Sequence, residues 1–424
     1  MRTVADHLAA VLDAARPVPA LDVVLADAAG CVLAEDVVAG RDVPVLAVAG
    51  CDGYAVRTTD VGVPGPGPTA EVTLPVVEDV PVTTPEPLRL IPGASALVAA
   101  GAPVPAGADA VVPLERTDRG RARVAIRGGA EPGENLRAAG SDVPVGARVL
   151  AAGTRLAARH LAVAATVGRS RLRVHPRPRV VVLTVGDELV EPGRPVPRGR
   201  RHDADGHALA AAARDAGAMP VRVGPVPDER GALREVIADQ LVRADLMLIT
   251  GGLSAGPWDT VTDVLAPLGT VRFDHVAMTP GDRQGFGTVR VTEDSTDLVH
   301  PGGLGSGGTG VPLFAVPGHP VAAMISYEVF VRPALRAMGG HADVYRSSLR
   351  AAVARPLQSP AGMRHFVPAR LSGSPTEGYV VDPVGDPSEP SIVGLASANA
   401  LMVVGEDTTR VRAGDSLPCL VLEG

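Results

Sequence analysis

Aromatic side chains are scarce in this 424-residue chain: Phe, Tyr and Trp together make up 2%. Proteins that hold single-stranded nucleic acid stack its bases on such rings, so that class is set aside. Positive charge is short as well. Forty Lys and Arg face 47 Asp and Glu for a net charge of −7, which argues against a general phosphate-backbone binder. A small anionic ligand needs only local cations and stays open. The three cysteines, Cys31, Cys51 and Cys419, lie far apart with no CxxC spacing, excluding a disulfide framework and a sequence-local zinc knuckle. No uncharged apolar run reaches the ~18 residues of a membrane span. The start, MRTVADHLAAVLDAARP, carries Asp6 and Asp13 within its apolar pattern. It reads as an amphipathic helix on Val4, Leu8, Val11 and Leu12, not a signal peptide, and a cytoplasmic location is expected.

Apolar residues make up 46%, enough for several cores, and the length suits two to four domains at ~150 residues each. The stretch 62–105, rich in proline and valine, predicts short strands of a small β domain. Asp52-Gly53-Tyr54 between two apolar runs predicts a hairpin turn. A helix is expected over 159–167 and a strand over 172–174, with Pro176 and Pro178 marking a boundary.

Beyond that boundary the pattern changes. RVVVLTV (179–185) and LMLI (246–249) are unbroken apolar runs of the kind buried on both faces of a sheet. Helical patterns alternate with them: 206–216, 229–243 (with Asp228 as its cap), 260–268 and 321–338. Further strand-like pieces cover 271–278, 286–291 and 311–316. This rhythm predicts a doubly wound, mostly parallel sheet. The glycine-rich 295–310 is read as a flexible surface insertion. Residues 341–424 predict another short-stranded β region.

In such a sheet, ligands bind beyond the carboxyl ends of the strands. Three turns stand there: Gly186-Asp187-Glu188, Thr250-Gly251-Gly252 and Pro317-Gly318-His319. With Asp203 and Asp259, the latter at an N-cap position, they predict four carboxylates around glycine-lined anion sites. That combination suits Mg²⁺ bridging phosphate oxygens. Composition and spacing alone reach an anion-binding α/β enzyme with metal-assisted phosphoryl or nucleotidyl chemistry.

Seven stretches add a resemblance: CDGYAV (51–56), GENLRAAGSD (133–142), VGDELVEPG (185–193), HDADG (202–206), TGGLSAGPWD (250–259), TPGDRQGFG (279–287) and VPGHPVAAMISYEVFVRPAL (316–335). In this order the chain resembles the molybdopterin molybdenumtransferase family over nearly its whole length. The resemblance implies a multidomain α/β fold. Residues 1–40 with 141–176 would form a linker and dimerisation domain, and 41–140 a small β domain. The doubly wound molybdopterin-binding domain would span 177–335, and a C-terminal β domain 336–424. It also implies insertion of molybdate into adenylylated molybdopterin with release of AMP, dependent on Mg²⁺ or Zn²⁺. The protein would be a homodimer with its site shared between subunits, and a molybdopterin adenylyltransferase is a candidate partner. No nucleic-acid or membrane partner is expected. Carried over by motif, Asp52, Asp142, Glu188 and Asp259 are the catalytic candidates, and Glu188, Asp203 and Asp259 the metal ligands. Gly251, Gly252, Ser254, Gly256, Arg283, Pro317, Gly318, His319 and Arg364 would contact substrate.

The departures from the family pattern concern charge. The usual Asp-Ser-Asn is Asp203-Ala204-Asp205, and the usual Lys-Pro-Gly-Lys is Thr279-Pro280-Gly281-Asp282, so two cations are missing. Arg283 and a protonated His319 are the candidate replacements. Two other readings therefore stand beside the transferase: a weakened paralogue that binds or carries molybdopterin, and a molybdopterin adenylyltransferase-like enzyme.

Overall fold

The computed structural model describes residues 1–64, 71–253, 256, 259–291, 298–299 and 310–422. The first helix, α1 (Val4–Ala14), is capped by Thr3, whose hydroxyl accepts from the Asp6 amide at 3.0 Å. The central sheet is built from β1 (Arg179–Val185), β2 (Met219–Val226), β3 (Leu246–Gly251), β4 (Val271–His275), β5 (Arg283–Val291) and β6 (Val311–Val316). Their spatial order is β2-β1-β3-β6-β5-β4. The first four are parallel, and β5 runs antiparallel to both β6 and β4.

The continuous apolar runs are explained by what covers each face. On one side Val180, Val182, Leu246, Leu248, Phe314 and Val316 pack with Leu209 and Ala213 of α2 (Asp205–Asp215). On the other, Val181, Leu183, Met247, Ile249 and Leu313 meet Leu233 and Ile237 of α3 (Arg230–Leu241), with Val261 and Val264 of α4 (Thr260–Leu265). Both parities of each strand are buried, so no alternation is left in the sequence. The expected helix at 321–338 is α5 (Pro320–Ser326) and α6 (Arg332–Met338), joined by a π-helical stretch over Tyr327–Val331.

Helix α1, within the segment 1–40 expected to join the linker domain, packs on the central domain. Its Val4 and Val11 share a core with Phe330 and Leu335, and His7 stands edge-on to Phe330 with ring centroids 4.7 Å apart. Leu21–Val24, Val32–Leu33 and Arg171–His175 form a separate three-stranded sheet. A five-stranded sheet holds Gly53–Val56 between Ala110–Pro113 and Ser95–Val98. The hairpin expected at Asp52-Gly53 is not formed, because Val48–Ala49 pairs instead with Leu136–Arg137. Gly53 answers to packing rather than to a tight turn: a Cβ there would lie 2.2 Å from the Val112 carbonyl oxygen.

The C-terminal strands Arg364–Ser374, Gly378–Pro383, Ser348–Val353, Ser416–Val421 and Ala400–Val404 pair in that order, and the last pairs back with the first, closing a barrel. Met278–Thr279, just after β4, pairs with Arg364 and His365 and so ties this barrel to the central domain. Among the described residues no helix is long and apolar enough to cross a membrane.

Candidate active site

Three strand ends build the floor of the site. Val185 of β1 pairs with Gly251 of β3, and Thr250 pairs with Val316 of β6. The approach is too close for side chains. A Cβ on Gly251, whose φ is +83°, would lie 2.1 Å from the Val185 carbonyl oxygen, and one on Gly318 would lie 2.9 Å from the Gly251 Cα. Thr250 Oγ1 stands 3.0 Å from both Asp205 Oδ2 and the Pro317 carbonyl, so one hydroxyl links β3, α2 and the end of β6.

Asp203 is fully buried. It accepts from Thr184 Oγ1 at 3.0 Å, from the Gly206 amide at 2.9 Å and from Arg222 Nη1 at 3.2 Å. Asp205, two residues on, is buried with its Oδ1 unpartnered among the described residues. Burial, with the Asp203 charge adding, pushes its pKa up to about 6. Glu188 sits at the rim and takes a 2.8 Å bond from Arg201. With Gly251 and Gly318 these acids line a recess of about 50 Å³, room for only a few water-sized groups.

A second, wider cleft of about 640 Å³ adjoins the recess across Glu188 and reaches Arg198, Arg200, Asp228 and Thr260. Asp228 is not the helix cap expected of it: α3 begins behind Glu229 with no side-chain cap. Its Oδ1 is buried without a partner among the described residues. Desolvation, then the charges of Asp187 and Glu188, raise its pKa.

Asp259 is the expected N-cap of α4, accepting from the Thr262 amide at 3.1 Å, and it also binds the guanidinium of Arg283. The set Glu188, Asp203 and Asp259 is therefore not assembled as metal ligands. Asp203 is committed to Thr184, Gly206 and Arg222, and Asp259 to a helix terminus and an arginine. Among the described residues no group of three or more His, Cys, Asp or Glu is placed to hold an ion. Arg283 is likewise not a free replacement for the missing cations. Asp282 carries its own negative charge and bonds to His275 at 2.9 Å.

The other candidates lie elsewhere. Asp52 accepts from the Ala100 amide at 2.7 Å, and Asp142 pairs with Arg137, both outside the central sheet. Arg364 pairs with Glu406 at 2.9 Å beside the barrel strand it begins. His319 is the N-cap residue of α5 without a side-chain cap bond. Gly252 lies against Val185 and Asp228, where a Cβ would be 3.1 and 3.3 Å from their side chains. Gly256 is an exposed bend, while Ser254 and Trp258 fall outside the described residues. Sequence reasoning missed Thr184, Asp205, Arg222 and Asp228 as site residues. The available signal was a threonine next to last in each of two apolar strands, Thr184 and Thr250, where a buried hydroxyl needs a partner.

Three family models match in chain order: the MoeA N-terminal region (domain I and II) over 2–168, the probable molybdopterin binding domain over 181–337, and the MoeA C-terminal region (domain IV) over 350–422. Molybdopterin molybdenumtransferase 2 of Mycobacterium tuberculosis is 38% identical over 423 residues, 98% of each chain. Molybdopterin molybdenumtransferase of a Nostoc species is 30% identical, covering 93% of this chain and 86% of its own. The crystal structure of the molybdopterin biosynthesis protein MoeA from Pyrococcus horikosii has the same fold. Its TM-score is 0.80 at 24% identity, covering 100% of this chain and 99% of that one.

Proposed function

Since the chain belongs to the MoeA family, we propose that it is a molybdopterin molybdenumtransferase, inserting molybdate into adenylylated molybdopterin and releasing AMP. One observation carries this reading beyond kinship. The three strand-end turns meet, and Gly251 and Gly318 leave backbone bare beside a recess lined by Glu188, Asp203 and Asp205. Phosphate oxygens can approach such turns closely. In the reaction an oxygen nucleophile, water or a molybdate oxygen, bonds to one phosphorus of the anhydride as the bridging P–O bond breaks, and AMP departs as a phosphate monoester. Thr184 and Arg222 hold Asp203 fixed, and Thr250 holds Asp205, so the recess keeps its shape as charge moves.

The resemblance also implies Mg²⁺ or Zn²⁺. Glu188, Asp203 and Asp259 do not fit such an ion as arranged, because the oxygens of the last two are already engaged by arginines and amides. No step here is routed through one. A homodimer, with Asp52 and Asp142 supplied by the second subunit, and a cytoplasmic location complete the reading.

The test is turnover on purified adenylylated molybdopterin with and without molybdate, across a range of Mg²⁺ and Zn²⁺. AMP release that requires molybdate is expected. Pterin binding without AMP release under every condition would favour the weakened paralogue, which the tie of Arg283 to Asp259 and the loss of both family lysines also favour.

A further inference from the structure

The chain contains no lysine at all, and every one of its 40 basic residues is an arginine. Apart from any protonated histidine, side-chain cations that meet substrate are therefore guanidinium groups. Arg283 is held by Asp259 and Arg364 by Glu406. In the wide cleft beside the acidic recess, Arg230 is bound to Asp263. Two guanidinium groups lining that cleft, Arg198 and Arg200, have no acidic partner among the described residues.

Their loop is anchored on both sides. Arg201–His202 pairs in parallel with Leu189–Val190, and His202 Nε2 lies 3.0 Å from the Arg194 carbonyl oxygen. At the tip the Arg200 amide closes a turn onto the Pro197 carbonyl at 3.1 Å, and Gly199 takes a φ of +79° that a side chain would resist. Two cations are thereby carried over a cleft of about 640 Å³, large enough for a nucleotide and far larger than the acidic recess. Asp228 lines the same cleft and presents a buried carboxyl oxygen that lacks a donor, which a sugar hydroxyl would supply.

We propose that Arg198 and Arg200 bind the phosphate of the adenylyl group, and that Asp228 receives its ribose hydroxyls, making this cleft the AMP half of the site. Guanidinium forks match phosphate oxygens in pairs. The choice of nucleotide rests on the transferase reading, whereas the anion site rests on the unpaired arginines.

The experiment is calorimetric titration of the full chain with AMP, adenosine and molybdate separately, for wild type and for the R198A/R200A double variant. Both side chains are exposed and unpaired among the described residues, so the thermal midpoint of the variant should match wild type. AMP affinity is expected to fall roughly 10- to 100-fold, with adenosine and molybdate binding unchanged. Equal AMP affinity in both proteins, no AMP binding by wild type, or an equal loss for adenosine overturns the proposal. So does loss of molybdate binding alone, which would assign the arginines to the oxyanion instead. If AMP binding needs the arginines but no molybdate-dependent AMP release occurs, the reaction reading fails and this one stands. Turnover with an unaltered AMP affinity in the variant gives the reverse.

Discussion

The guanidinium of Arg283, on β5, closes on the Asp259 carboxylate that also caps α4, joining the sheet to the helix behind the Gly251-Gly252 turn. The pair is largely buried, with side-chain exposures of 24% and 9%. Arg283→Ala should cost about 1–3 kcal/mol, since it strands a carboxylate in a dry setting. Asp259→Asn keeps an N-cap acceptor and should cost less. Urea unfolding of the two variants measures the difference, and equal costs would mean that stranding the carboxylate carries no penalty of its own.

Glu188 and Asp203 line the same recess but differ in how they are held. Asp203→Ala leaves Thr184 and the Gly206 amide without their acceptor while Arg222 keeps Glu191, and should cost about 1–3 kcal/mol. Glu188→Ala removes one half-exposed ion pair with Arg201 and should cost less than about 1 kcal/mol. Glu188 can thus be tested for turnover in a folded protein. A larger stability loss in Glu188→Ala than in Asp203→Ala would contradict the burial argument.

Two buried groups tilt stability with pH in opposite directions. The folded pKa of Asp205 is raised from 3.8 to about 6, so between those values the folded carboxyl keeps a proton that the unfolded chain has lost. Its contribution is full below 3.8 and declines as pH rises to about 6. For His7 burial, with help from Arg2, lowers the pKa from 6.5 to about 4. The unfolded chain then gains a proton first, and stability falls as pH drops from 6.5 toward 4. Asp205→Asn should flatten the first slope and His7→Leu the second, as read from urea midpoints across the two windows.

Besides the strand pairing at Met278–Thr279, an arginine docks the barrel to the central domain. Arg346 donates to the buried Glu328 at 2.8 and 2.9 Å and to the Leu422 carbonyl at 2.7 Å. Arg346→Ala should cost about 1–3 kcal/mol, because buried Glu328 then keeps only the longer 3.9 Å contact with Arg332. Lys should restore little of this, since an ammonium cannot reproduce the two-pronged contact. Hydrogen exchange in the barrel strands Ser348–Val353 and Ser416–Val421 should quicken in both variants, and unchanged protection would show that the docking rests on apolar contact instead.

Much of the central domain was legible because hydrophobic runs and helix periodicity are local properties. RVVVLTV and LMLI are strands, and the glycines after them sit where strand order places ligands. Pairing between distant segments was not legible. Nothing in CDGYAV says that the chain before it pairs with Leu136–Arg137, so a local turn signal suggested a hairpin that is absent. Burial misled in the same way. Asp203 and Asp259 looked like free ligands because a sequence does not reveal that Arg222 and Arg283 reach them from other strands. Asp228 looked like a helix cap because its place in the chain fits one, whereas its oxygen is left over for something else.

The position of α1 has a consequence for how the molecule is made. Its Val4 and Val11 share a core with Phe286, Phe330 and Leu335, and His7 stands against Phe286 and Phe330, in the later part of the central domain. The helix is therefore synthesised before the described strands of the central sheet and keeps its apolar face uncovered until they follow. A bulky fusion ahead of Met1 would crowd Arg2, whose backbone pairs with Val276, and would hinder the step that seals the newborn domain.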